Sequence, residues 1–246
     1  MFFQKDIETM PRAELEALQL ERLKHMVDYC YRNVPFYHKK LDEAGITSGD
    51  QIKTLSDIQY LPYTTKDDIR DHYPFQMLAV PMRQITRIHA SSGTTGKPTV
   101  GCYTREDLDR WSDQVARVAV GGGATADDII QISFGYGLFT GALGLHYGLE
   151  KIGAVVIPAS SGNTAKQLMM LRDFGVTGLV ATPSYALYLS ETMKEQGYPR
   201  SDYKLRIGLL GSESCTPEMR AQIEENMGIF VSDNYGMTEL GGPGVA

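Results

Sequence analysis

Apolar positions are spaced for helices early in the chain and gather into strand-like runs later. From Pro11 to about Arg32, Leu15, Leu18, Met26, Val27 and Tyr31 fall at helical spacing, with Leu20 and Leu23 between them. That period predicts a long helix with Pro11 in its first turn, broken by Val34-Pro35. Residues 35–80 show only short patterns, among them a Thr65-x-x-Asp68 capping pair before Ile69. They predict short helices and loops with a bracing role. Residues 1–84 are expected to form this N-terminal helical segment.

From residue 85 the pattern changes. Ile85 to Ala90 and Val100 to Tyr103 read as strands on either side of a polar loop. Thr104-x-x-Asp107 then opens a helix to about Val120, stopped by Gly121-Gly122-Gly123. After it, apolar runs at 128–133, 154–157, 176–181, 205–210 and 229–231 alternate with helical stretches. Asn163, Ser184 and Thr216-Pro217 stand at helix starts, as capping residues and a first-turn proline should. Strands alternating with helices predict right-handed crossovers and a mainly parallel α/β sheet over 85–246. In such sheets ligands bind beyond the carboxyl ends of the strands. Gly211-Ser212-Glu213-Ser214 and Asp233-Asn234-Tyr235 both follow predicted strands and are expected on that edge.

Charge and cysteine content narrow the function. The 246-residue chain carries a net charge of −6 and no basic cluster, which argues against nucleic-acid binding. Cys30, Cys102 and Cys215 are far apart, without a C-x-x-C pair, as expected of a reducing, cytoplasmic setting. No signal-peptide pattern opens the sequence. Ile129 to Leu149 lacks Asp, Glu, Lys and Arg and has the length of a membrane span. Its five glycines and its polar Gln131, Ser133, Thr140 and His146 instead predict a buried strand, a turn and a buried helix.

The chemistry concentrates at His89-Ala90-Ser91-Ser92-Gly93-Thr94-Thr95-Gly96-Lys97-Pro98-Thr99-Val100. Glycines let backbone N–H groups face an anion, hydroxyls add donors, and Lys97 adds a point charge. A P-loop would need glycine at Ser91, a hydroxyl at Pro98 and a following helix, and the sequence has none of these. His89 reads as a strand residue. No spacing suggests a Ser-His-Asp triad or a metal-binding histidine pair.

Ser91 to Pro98 resembles the phosphate loop of the adenylate-forming superfamily, and Asp233-Asn234-Tyr235-Gly236-Met237-Thr238-Glu239 resembles its second signature. Arg32–Tyr37, Leu61–Lys66, Phe134–Gly141 and Gly241–Ala246 are most similar to the phenylacetate–CoA ligase family, so the resemblance spans nearly the whole chain. It implies ATP-dependent activation of an aryl acid to an acyl-adenylate, then a coenzyme A thioester, with ATP, Mg2+ and coenzyme A as requirements.

Carried over residue by residue, the phosphate site would be Ser91, Ser92, Gly93, Thr94, Thr95, Gly96 and Lys97. Ser212, Glu213, Ser214, Asp233, Asn234, Tyr235, Gly236 and Met237 would surround the adenine, with Tyr235 stacked on it. Alanine is common in the family where Ser212 stands. Thr238 would approach the α-phosphate and Glu239 hold magnesium. Phe134, Tyr136, Gly137, Phe139, Gly211, Tyr235, Gly236 and Pro243 would line the acid pocket. From the residues alone, the aromatics remain open between core and pocket, and Thr238-Glu239 between a polar turn and a ligand site. The family's ribose-binding aspartate and C-terminal lysine have no match within 1–246, so the chain reads as the N-terminal portion of a ligase with weak turnover by itself. A deazaflavin-coenzyme adenylyl transferase of the same family, a non-catalytic nucleotide-binding remnant and, by analogy, a homodimer stay open.

Overall fold

A computed structural model describes residues 1–93 and 96–242. Thr94, Thr95 and Pro243, expected in the site, lie outside them. The chain divides into two units, one formed by Gln4–Arg105 and the other by Met1–Phe3 with the chain from Glu106 onward.

In the first unit, α1 (Lys5–Glu8) leads to α2 (Arg12–Asn33), for which Pro11 is the N-cap and so stands one place before the first turn. Val34-Pro35 ends α2 and starts α3 (Pro35–Glu43), because proline suits a first helical position and not an interior one. Val27, Leu41, Ile46 and Ile52 close a small core between them. The Thr65/Asp68 pair forms the predicted capping box at α4 (Lys66–Asp71). Asp68 also accepts from Lys40 Nζ at 2.8 Å, and these bonds hold its carboxyl down at about 2. Strands β1 (Ile85–Ala90) and β2 (Val100–Thr104) pair antiparallel as a hairpin whose tip is the Ser/Gly-rich loop. His89 is fully buried in β1, edge-on to the Tyr103 ring at 5.7 Å, in keeping with a strand role.

The second unit alternates helix and strand. Its elements are α5 (Arg105–Gly121), β3 (Ile129–Ile132), α6 (Thr140–Ile152), β4 (Val155–Ile157), α7 (Thr164–Asp173), β5 (Gly178–Ala181), α8 (Pro183–Glu195), β6 (Ile207–Gly211), α9 (Pro217–Met227) and β7 (Phe230–Asn234). The strands form one five-stranded parallel sheet in the order β4-β3-β5-β6-β7. β5 and β6 are buried along their whole length, so they read as unbroken apolar runs. Leu179, Ala181, Leu210 and Val231 point to one face, into a core with Leu168, Leu171, Leu189 and Ile223 of α7, α8 and α9. α5 and α6 pack on each other where Val115 meets Gly148. The uncharged stretch 129–149 is therefore β3, a loop and most of α6. No helix among the described residues is long and apolar enough to cross a membrane.

At the amino ends of the strands, the buried Asp128 ties three of them together. It takes the Arg206 guanidinium and the Thr177 hydroxyl, the latter at 2.6 Å, and its second oxygen accepts from Thr125 N–H at 2.7 Å. Burial pushes this carboxyl up, but the Arg206, Thr177 and Thr125 bonds outweigh it and hold the group below its usual range.

Candidate functional site

The strand order places a topological switch between β3 and β5, since β4 lies to one side of β3 and β5 to the other. In open parallel sheets that switch marks the ligand crevice at the carboxyl edge. The loop after β3 carries Phe134, Tyr136 and Phe139, the start of α8 follows β5, and the loops after β6 and β7 carry the two expected nucleotide segments. All belong to the same unit.

Gly211 of β6 pairs with Asn234 of β7, so the loops that follow leave the sheet side by side. Tyr235 is 61% exposed at the end of β7, which settles its fate against the core. Its hydroxyl reaches Met237 Sδ at 3.6 Å. The chain then turns through a short 3-10 stretch, Thr238–Leu240, closed by Gly242 N–H to Met237 O at 3.0 Å. A Cβ on Gly242 would stand 2.5 Å from Gly236 Cα, so the turn closes only with glycine there. Glu239 is exposed on this turn and Thr238 is partly so.

Asp233 and Asn234 behave differently from each other. Asp233 is exposed, whereas Asn234 is 5% exposed with its amide turned into the sheet, donating to Leu210 O at 3.1 Å. In the β6 loop, Ser212 adopts a left-handed conformation (φ 73°). That strained backbone places Glu213 over the start of α8, the helix before β6, where its carboxylate accepts from Ser184 N–H at 2.6 Å. Glu213 thus adds to the cap made by Thr182 at the N-terminus of α8. Sequence reasoning missed Ser184 as its partner, because nothing local links positions 184 and 213.

The aromatic segment divides too. Phe134 is buried and meets Phe139 edge-to-face at 5.9 Å, while Phe139 is 42% exposed. Tyr136 is half-buried, and its hydroxyl lies 3.1 Å from His146 Nδ1 on α6. Burial first, then the Glu150 and Tyr147 side chains, push the phenol up to about 12, so it is neutral.

In the other unit, the hairpin loop is cinched at its neck. Ser91 N–H donates to Thr99 O and Thr99 N–H to Ser91 Oγ, each at 2.9 Å. Ser91 therefore shapes the loop through its lone pair and keeps its own O–H for donation. Gly93 and Gly96 take positive φ (66° and 136°), conformations that bend the backbone back on itself. Ser92 and Lys97 are exposed, and Lys97 Nζ sits 5.5 Å from the centre of the Tyr73 ring.

Comparison with known proteins follows the same outline. A family model described as AMP-binding enzyme matches residues 15–246. The phenylacetate-coenzyme A ligase of Escherichia coli (strain K12) is 50% identical over 241 residues, which are 98% of this chain and 55% of that enzyme. The enzyme of the same name from Thermus thermophilus is 45% identical, covering all of this chain and 55% of its own length. Among solved structures, 2-hydroxyisobutyryl-CoA ligase in complex with 2-HIB-AMP and CoA superposes with a TM-score of 0.91 at 30% identity, over 98% of this chain and 52% of that one. The chain spans about half the length of the curated relatives it matches.

Proposed function

This chain belongs to the AMP-binding enzyme family, and from that membership we propose that it forms the nucleotide- and acid-binding portion of an AMP-forming acid–thiol ligase. Phenylacetate is the acid we assign, on the strength of 45–50% identity to phenylacetate-coenzyme A ligases along nearly the whole chain. The observation that carries the reading is the pairing of β6 with β7, which sets the Ser212–Ser214 and Tyr235–Glu239 segments next to each other with the Tyr235 ring outward.

In the reaction, an oxygen of the acid attacks the α-phosphorus of ATP and pyrophosphate leaves. The coenzyme A sulfur then attacks the acyl carbon, its proton is lost, and AMP leaves. The protein's task is to position these groups and stabilise developing charge. Tyr235 offers a flat face for adenine, beside Ser212 and Ser214. The Thr238 hydroxyl is assigned to the α-phosphate, and the hairpin-loop amides with Lys97 to the outer phosphates.

Mg2+ would rest on Glu239. One exposed carboxylate fits this ion, which keeps several waters and takes phosphate oxygens as its remaining ligands. Among the described residues no group of three or more His, Cys, Asp or Glu is gathered to hold a metal alone. Bound there, the ion would neutralise phosphate charge. A cytoplasmic setting, consistent with the free thiols of Cys30, Cys102 and Cys215, and a homodimer complete the proposal.

Calorimetric titration of the chain with ATP, AMP and phenylacetate tests the reading. Nucleotide binding that is lost in Tyr235→Ala supports it. A chain that binds no adenine nucleotide contradicts it, and one that binds nucleotide without any aryl acid points to a nucleotide-binding module of another function.

A further inference from the structure

Gln167 lies in the first turn of α7, and its side chain leans back toward the start of the helix, as helical side chains do. There its amide nitrogen donates to two backbone carbonyls of the loop after β4, Ser160 O at 2.8 Å and Gly162 O at 3.2 Å. Carbonyls only accept, so the orientation of the amide is settled and its oxygen is left as an acceptor. That oxygen takes Gln131 Nε2 at 2.6 Å and the Ser133 hydroxyl at 2.9 Å. Gln131 and Ser133 stand two positions apart at the end of β3, on one face of the sheet. All three side chains are buried, at no more than 4% exposure.

The loop that Gln167 holds is bent back on itself. Ser160, Gly162 and Asn163 all have positive φ (63°, 85° and 50°). Two of the three are not glycine, and such conformations persist only where the surroundings over-determine them. Gln167 supplies two of the constraints, and Ser160 N–H, donating to Ile132 O at 3.0 Å, supplies another. The bend carries Ser161 to the loop after β3, where its Oγ would stand 3.5 Å from a Cβ on Gly135. On the other side of the amide, Ser133 is the residue that opens that same loop. One buried side chain therefore ties the loops after β3 and β4 together at the carboxyl edge, with β5 between them and the β6 and β7 segments. We propose that Gln167 is a positioning residue that locks these two loops as the wall of the crevice away from the nucleotide segments, so that acid binding depends on it and nucleotide binding does not. The inference rests on the acid–thiol ligase reading above.

Hydrogen exchange followed by mass spectrometry tests the tie itself. In Gln167→Met, which keeps the length of the side chain, segments 133–139 and 158–163 are expected to exchange about 3- to 10-fold faster, the range of one net hydrogen bond, with segments 211–214 and 234–240 unchanged. Ser133→Ala should loosen the same two segments, and it serves alone if Gln167→Met does not fold. Unchanged exchange in the two loops, or equal loosening of all four segments, overturns the proposal. Calorimetry on the same samples reads the consequence. Phenylacetate affinity is expected to fall about 3- to 10-fold in either variant, and in the double variant no further than in Gln167→Met, while AMP affinity stays at the wild-type value. Parallel loss of both ligands, the mark of a merely structural role, overturns it. Wild-type phenylacetate affinity in a variant whose loops have loosened also overturns it, and leaves the acid site standing. A wild-type chain that binds AMP but no phenylacetate sinks the acid reading, and the positioning role with it.

Discussion

Gly211 and Asn234 face each other where β6 and β7 end, and the carbonyl oxygen of Asn234 occupies the space a Cβ on Gly211 would need. The obstructing atom belongs to the backbone, so it cannot swing aside as a flexible side chain would. The close approach brings the two candidate nucleotide loops together, and it depends on one hydrogen atom.

Gly211→Ala is therefore expected to destabilise the chain by about 1–3 kcal/mol, the usual range for forcing extra volume into a filled site. Chemical denaturation measures the loss. Adenine-nucleotide affinity should fall with it, because the loops after both strands shift together. Unchanged stability and affinity would show that the strand ends adjust freely.

Glu213 is placed to matter for stability whatever it does for a nucleotide. Its bond to Ser184 N–H satisfies a donor at the start of α8. Glu213→Ala should cost about 1 kcal/mol, as lost helix caps do, and Glu213→Gln less, because the amide still accepts. Thermal melts of the two variants against wild type decide this, and equal melts would remove Glu213 from the cap.

The Asp128 clamp predicts an acid-sensitive sheet. A carboxyl held low in the folded chain stabilises it fully above its unfolded pKa, near 3.9, and the contribution is lost as pH falls through the lower, folded value. Asp128→Asn should lower stability at pH 7 by roughly 2 kcal/mol, since Arg206 loses its charged partner. The steepest part of the acid-induced loss should disappear in the same variant. Denaturation midpoints recorded from pH 7 to pH 2 test both parts.

Lys97 should have the opposite profile. It is exposed and rests only on the Tyr73 ring within the described structure, so Lys97→Ala should leave the melting temperature nearly unchanged. If it meets phosphate as proposed, ATP affinity should drop roughly tenfold or more, with AMP much less affected. Equal ATP affinity in the variant would remove the lysine from the phosphate site.

Much of this architecture follows from short-range features of the sequence. The alternation of strand and helix, the Thr65/Asp68 box, the caps at Asn163 and Thr216, and the hairpin around a Ser/Gly-rich loop are set by neighbours a few positions apart. The family motifs are legible for the same reason, as contiguous runs. Tertiary structure alone decided the strand order, the cap that Glu213 makes across 29 positions, and the Asp128–Arg206 clamp across 78. It also separated Asp233, left in solvent, from Asn234, turned into the sheet. Those choices depend on which strands lie side by side, and pairing between distant segments is selected by burial of both sheet faces rather than by any local preference.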